Sequence, residues 1–199
     1  MIRYIDDLQL TGKRVFIRVD FNVPLEGKRV TDDTRIREAL PTIRRALEMG
    51  GKVILASHLG RPKGPDPRLS QEPAASKLAE LLGAKHEVIL ADDCTGDGVK
   101  KQVKELKEGQ VLVLENLRFH KEEEKNDPNF ARQLAKLGDI YINDAFGTAH
   151  REHASTFGCP QAMQGKPRAI GFLIAKELKF LGEAVTTPQR PFVAIMGGA

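Results

Sequence analysis
The 199-residue chain has no tryptophan and two tyrosines, so it is poorly supplied with the aromatic faces on which single-stranded nucleic acid stacks. Its two cysteines, Cys94 and Cys159, lie far apart and without CxxC spacing. That usage supports neither a disulfide framework nor a zinc site, and it suits a reducing cytosol. No apolar run approaches the roughly 20 residues a membrane span needs. The opening stretch Met1-Ile2-Arg3-Tyr4-Ile5-Asp6-Asp7 is too charged for a signal peptide. Neither GxGxxG after a strand nor GxxxxGK[ST] occurs, so Gly60, Gly64 and Gly147 are weak phosphate-cradle signals. No ligand cluster specifies a metal, and no Ser-His-Asp or Cys-His order is evident.

What is present is an apolar content of 41%, enough for a core, with 29% charged residues and a net charge of +4. A charge this mild permits an anionic partner without requiring nucleic acid. The chain is expected to be a cytoplasmic domain that contacts neither membrane nor nucleic acid.

Strand and helix signals alternate along the whole length. Arg14 to Pro24 reads as one strand with a hard stop at the proline, Val15, Ile17, Val19, Phe21 and Val23 facing one way. Leu25 to Val30 reads as a turn. The segment from Asp33 to Glu48 carries Ile36, Leu40, Ile43 and Leu47 at helical spacing before Gly50-Gly51. Further strands are expected at Lys52–Ala56, His86–Leu90, Val111–Leu114, Asp139–Asn143 and Phe192–Met196. Further helices are expected near 71–82, 98–106, 127–137 and 173–185. The charge run Lys121-Glu122-Glu123-Glu124-Lys125 reads as a solvated loop without chemistry. With no repeat or linker, the pattern predicts a single α/β domain: a three-layer, Rossmann-like arrangement of a six-stranded, mostly parallel sheet with helices on both faces.

A parallel sheet sends the loops after its strands to one side, where ligands bind. Asp20 and Asn22 follow the first strand signal, and His58 and Arg61 the second. Arg118 follows Val111–Leu114, and His150, Arg151 and His153 follow Asp139–Asn143. Arg35 sits in the first turns of a helix at the same end. Singly, each arginine or histidine is an ordinary surface residue. Together, four arginines fit a compact polyanion, because guanidinium forks match phosphate and carboxylate oxygens. Asp20 would repel such an anion, so it either accepts from a ligand hydroxyl or orients an arginine. His150 and His153 read as orienting their loop. From the residues alone, the chain is a cytosolic α/β domain that binds a small phosphorylated acid.

Five segments, taken in order, resemble the N-terminal domain of the phosphoglycerate kinase family. They are Arg18-Val19-Asp20-Phe21-Asn22-Val23-Pro24, Asp33-Thr34-Arg35-Ile36-Arg37, Ser57-His58-Leu59-Gly60-Arg61-Pro62, Leu114-Glu115-Asn116-Leu117-Arg118-Phe119, and the run from Asn143 to Arg151. The resemblance implies reversible phosphoryl transfer between 1,3-bisphosphoglycerate and ADP in glycolysis, giving 3-phosphoglycerate and ATP with magnesium. It implies a substrate set of Asp20, Phe21, Asn22, Arg35, His58, Leu59, Gly60, Arg61, Arg118 and Arg151, with Arg35 as the catalytic member. The family continues past Met196-Gly197-Gly198-Ala199 into a nucleotide-binding domain. The resemblance therefore implies half of a monomeric enzyme: a single domain, residues 1–199, that binds no Mg2+ or ATP/ADP itself and is inactive without the missing half. A stand-alone phosphoglycerate-binding module and a nucleic-acid-binding domain are the competing expectations.

Overall fold
The computed structural model describes residues 2–186 together with positions 191 and 193. In order, its elements are strand β1 (Arg14–Arg18), the short strands β2 (Leu25–Glu26) and β3 (Arg29–Val30), helix α1 (Thr34–Glu48) and β4 (Lys52–Ala56). Then come α2 (Glu72–Leu82), β5 (Val88–Leu90), α3 (Asp97–Glu105), β6 (Val111–Val113), α4 (Lys121–Glu124), α5 (Pro128–Ala135) and β7 (Ile140–Asn143). The last are α6 (Cys159–Ala162), β8 (Arg168–Ile170) and α7 (Phe172–Thr186).

Six strands form one sheet in the order β5-β6-β4-β1-β7-β8, and every neighbouring pair is parallel. Parity sorts the side chains into two cores. Val15, Ile17, Val53, Leu55, Val111, Val113, Ile140 and Ile142 pack with Ile36 and Ile43 of α1 and Leu78 of α2. Phe16, Ile54, Leu112 and Tyr141 pack on the other face with Val99 and Val103 of α3, Leu134 of α5 and Cys159 of α6. Helices therefore cover both faces, as expected of a parallel sheet.

The connections change direction at β1. The chain moves outward through β4 to β5 and returns through β6, then crosses to β7 and β8 on the opposite side. Arg18 pairs with Ala56 and with Asn143, so β1, β4 and β7 end level and release their loops together. That is the switch point of an open sheet.

Three expectations change. The strand expected over Arg14–Pro24 stops at Arg18, because β4 and β7 both end there and supply no ladder partner beyond. The chain continues extended, with Val19, Phe21 and Val23 still buried and the Phe21 N–H given to Ser57 Oγ at 2.8 Å. The turn at Leu25–Val30 contains a two-pair antiparallel hairpin. The sixth strand of the sheet is β8, whereas the strand expected at Phe192–Met196 falls, Val193 aside, outside the described residues. No described helix is long and apolar enough to cross a membrane.

Candidate functional site
The loops released at the ends of β1, β4, β6 and β7 open on one side of the sheet, and hydrogen bonds tie those after β1, β4 and β6 into a candidate crevice. Asp20 receives Arg35 on Oδ2 as an ion pair and the Asn22 N–H on Oδ1 at 3.2 Å. Both carboxylate oxygens are thus engaged within the protein. Asn22 passes the link on, its Oδ1 accepting the Gly60 N–H at 2.8 Å. The Gly60 carbonyl accepts from Arg118 Nη1 at 2.7 Å. Gly60 has φ +61°, a conformation costly for residues with a β-carbon; there its N–H faces Asn22 and its carbonyl faces Arg118.

Asn116 holds the β4 and β6 loops in register. It is fully buried. Its Oδ1 accepts from the N–H groups of Leu59 and Arg118, both at 3.1 Å. Its Nδ2 donates to the carbonyls of Leu59 and Leu69 at 2.7 and 2.8 Å.

Arg118 is 7% exposed, and its Nη2 lies 3.2 Å from Glu124 Oε1. Its buried Nε has no protein partner. Burial draws its pKa below the ordinary value; Glu124 opposes this, while Arg151, Arg18 and Arg61 push it further down. His58 is 5% exposed, and its pKa falls to about 2. Burial is the main cause, followed by the charges of Arg18, Arg118, His153 and Arg151. The same basic surroundings lower His153, after burial and against the pull of Glu124. So many cations acting on one imidazole give this part of the molecule a positive field.

Of the residues expected here, Asp20, Asn22, Arg35, His58, Gly60 and Arg118 are linked or gathered directly. Arg61 and Arg151 are exposed and close enough to act on Arg118. Phe21 and Leu59 have buried side chains, and their N–H groups already serve Ser57 and Asn116. In this arrangement the two shape the loops.

Sequence reasoning missed four contributors. Arg18 is 1% exposed and donates from Nη2 to His58 Nδ1 at 3.1 Å. Ser155 and Glu123 stand behind it, and Glu124 stands beside Arg118. The charge run at 121–125 is therefore not a featureless loop. It is the short helix α4, and its turn carries Glu123 inward, where it is fully buried. Three consecutive glutamates carry no sequence signal for which one turns in.

Among the described residues, Asp93, Cys94 and His120 bring ligand-type atoms within 4.8 Å of one another. Each is satisfied within the protein. The Cys94 thiol donates to the Glu115 carbonyl at 3.0 Å, and His120 Nε2 lies 2.6 Å from Asp93 Oδ1. Burial raises the thiol's pKa well above its ordinary value, with Asp93, Glu123 and Glu115 adding to it.

The profile of the family described as phosphoglycerate kinase matches residues 5–199. A phosphoglycerate kinase from an Anaeromyxobacter species is 66% identical over 202 residues, covering 100% of this chain and 50% of the relative. One from Chloroherpeton thalassium is 59% identical over 196 residues, covering 98% and 48%. The structure of phosphoglycerate kinase from Coxiella burnetii aligns with a TM-score of 0.82 at 36% identity, over 96% of this chain and 47% of that one. The crystal structure of the enzyme from Pyrococcus horikoshii aligns with 0.83 at 38% identity, over the same shares. The chain thus spans about half the length of the curated relatives it matches.

Proposed function
The chain belongs to the phosphoglycerate kinase family, and from that premise we propose that its crevice holds 3-phosphoglycerate and 1,3-bisphosphoglycerate for the glycolytic transfer of a phosphoryl group to ADP. The observation that carries this reading is the crowd of cations around His58 and Arg118. Arg18 Nη2 lies 3.1 Å from His58 Nδ1; beyond the effect of burial, Arg18, Arg118, His153 and Arg151 bear on that imidazole, and Arg151, Arg18 and Arg61 bear on the Arg118 guanidinium.

In this reading Arg61, Arg118, Arg151 and His58 receive the phosphate. Asn22 and Asp20 lie toward the hydroxyl and carboxyl end. Arg35, held by Asp20 and half exposed, reaches the transferring group and stabilises charge in the transition state, where most phosphoryl-transfer catalysis lies. Magnesium takes oxygen ligands, and the crevice offers nitrogen donors, its carboxylates already facing arginines. The Mg2+-nucleotide therefore belongs, in this proposal, to the part of the relatives' length that these residues do not span. The complete enzyme is proposed to be a cytoplasmic monomer.

The test is a calorimetric and NMR titration with 3-phosphoglycerate at low and high salt. Binding is expected to be weak, to shift resonances near Arg35, Arg61, Arg118 and Arg151, and to weaken with salt, which screens exposed charges. Unmoved resonances at millimolar ligand would sink the proposal.

A further inference from the structure
We propose that Glu123 and Ser155 are positioning residues that act through Arg18 to hold His58 as the neutral tautomer with its proton on Nε2, so that the ring offers the ligand an N–H rather than a charge. This rests on the reading of the crevice as the phosphoglycerate site.

The direction of every proton follows from donor and acceptor chemistry. A guanidinium has five donors and no acceptor. Arg18 Nη2 lies 3.1 Å from His58 Nδ1, so Nδ1 carries a lone pair and the ring proton sits on Nε2. Arg18 cannot swing away. Its Nη1 donates to the Val19 carbonyl, and its Nε donates to Ser155 Oγ at 2.9 Å. Ser155 Oγ accepts there, and its single proton goes to Glu123 Oε1 at 2.5 Å. Glu123 Oε2 takes the Ser155 N–H at 2.9 Å. Both Glu123 oxygens accept here and end the chain, with His153 Nδ1 4.0 Å from Oε1; burial raises the pKa of this carboxyl, against Arg18, the two Ser155 bonds and Arg118, which favour its ionised form. Arg18, Ser155 and Glu123 are each at most 1% exposed, so water does not compete for any of these bonds.

The chain solves a specific problem. A protonated imidazole at His58 would set N–H against the Arg18 N–H and charge against charge. Burial above all keeps His58 neutral, helped by the charges of Arg18, Arg118, His153 and Arg151, while Glu123 stands behind Arg18 through Ser155. A neutral donor does not lose its role between about pH 5 and 8, where an ordinary histidine changes charge.

The experiment uses the 199-residue chain with 15N-labelled histidine and arginine. Two-bond proton–nitrogen spectra report the tautomer of His58, and the Arg18 Nε–H resonance reports its protection from exchange. The wild type should show the Nε2–H pattern unchanged from about pH 5 to 8, with a slowly exchanging Arg18 Nε–H. In Ser155→Ala and Glu123→Gln that Nε–H should lose protection and His58 should become a tautomer mixture. Affinity for 3-phosphoglycerate should fall about tenfold, the cost of one broken buried hydrogen bond. A wild-type His58 carrying its proton on Nδ1, or titrating near pH 6.5, overturns the inference without any variant. Folded variants with wild-type His58 and Arg18 spectra overturn it too. If the wild type shows the expected spectra but binds no 3-phosphoglycerate, the functional reading fails and the positioning chain stands.

Discussion
At the residue scale, exposure separates the cations that a rigid scaffold aims from those that solvent disperses. Arg118 is 7% exposed and bonded to the Gly60 carbonyl and Glu124. Lys63 lies exposed on the Pro/Gly-rich loop after β4. Ordering a long exposed side chain costs up to about 2 kcal/mol of rotamer entropy, a cost Arg118 has already met in folding. Arg118→Ala is therefore expected to weaken 3-phosphoglycerate binding at least tenfold, about 1.4 kcal/mol, and Lys63→Ala less than threefold. Equal losses by calorimetry would count against the assigned crevice. Most of these arginines were legible in the sequence because each follows a strand signal. Arg18 was harder: an arginine at the end of a strand reads as solvent-facing, and nothing local announces that Ser155, 137 positions away, will bury it.

Asp144 raises a second question at this scale. It is buried at the end of β7, with Oδ2 unpartnered and Oδ1 accepting from the Leu173 N–H at 2.9 Å. Burial lifts its carboxyl from 3.8 to about 6, against hydrogen bonds that favour the ionised form. The folded state thus holds this proton more tightly than the unfolded chain does. The contribution to stability is complete below the unfolded pKa and is lost as pH rises through about 6. Asp144→Asn keeps the Oδ1 acceptor and has no proton to lose. Relative to wild type it should gain stability between about pH 4 and pH 7, by at most about 3 kcal/mol. Parallel pH profiles in urea unfolding would show that Asp144 is not a source of strain.

At the element scale, the long periodic segments were legible and the short ones were not. Helices α1 and α2 and strand β4 follow directly from apolar spacing. Strand β8 has three residues, Arg168-Ala169-Ile170, and owes its place to pairing with β7 rather than to any pattern of its own. Helix α4 is four residues long, and its Glu123 is held by Ser155, 32 positions away. The β8–α7 junction gives a test of such tertiary control. A β-carbon at Gly171 would overlap the Asp144 carboxylate, which accepts from the first N–H groups of α7. Gly171→Ala should therefore cost about 2 kcal/mol, the sum of overpacking and a weakened cap. Gly182 lies within the same helix, where a β-carbon would meet open space. Gly182→Ala should stabilise by roughly 0.5–1 kcal/mol through helix propensity. Thermal melts of the two variants that shift in the same direction would contradict this account of the junction.

At the scale of the whole molecule, a phosphoryl transfer needs donor and acceptor held in line, and positioning can supply roughly 7–11 kcal/mol of barrier reduction. The crevice gathers groups suited to the acceptor, and Arg35 stands at its edge, tethered by Asp20 and half exposed. These residues match half the length of the relatives, and the proposal assigns the donor nucleotide to the remainder, closing over the crevice by a hinge. A polypeptide of these 199 residues is then expected to bind 3-phosphoglycerate and to show no turnover with ATP and magnesium. Turnover should appear when the other half of a relative is added in trans, and it should depend on Arg35 in this half. The assay is coupled detection of ADP on a preparation shown by mass spectrometry to be free of full-length enzyme. Steady turnover by this polypeptide alone, abolished by Arg35→Ala in the same chain, would place a nucleotide site within these residues and overturn the division of labour.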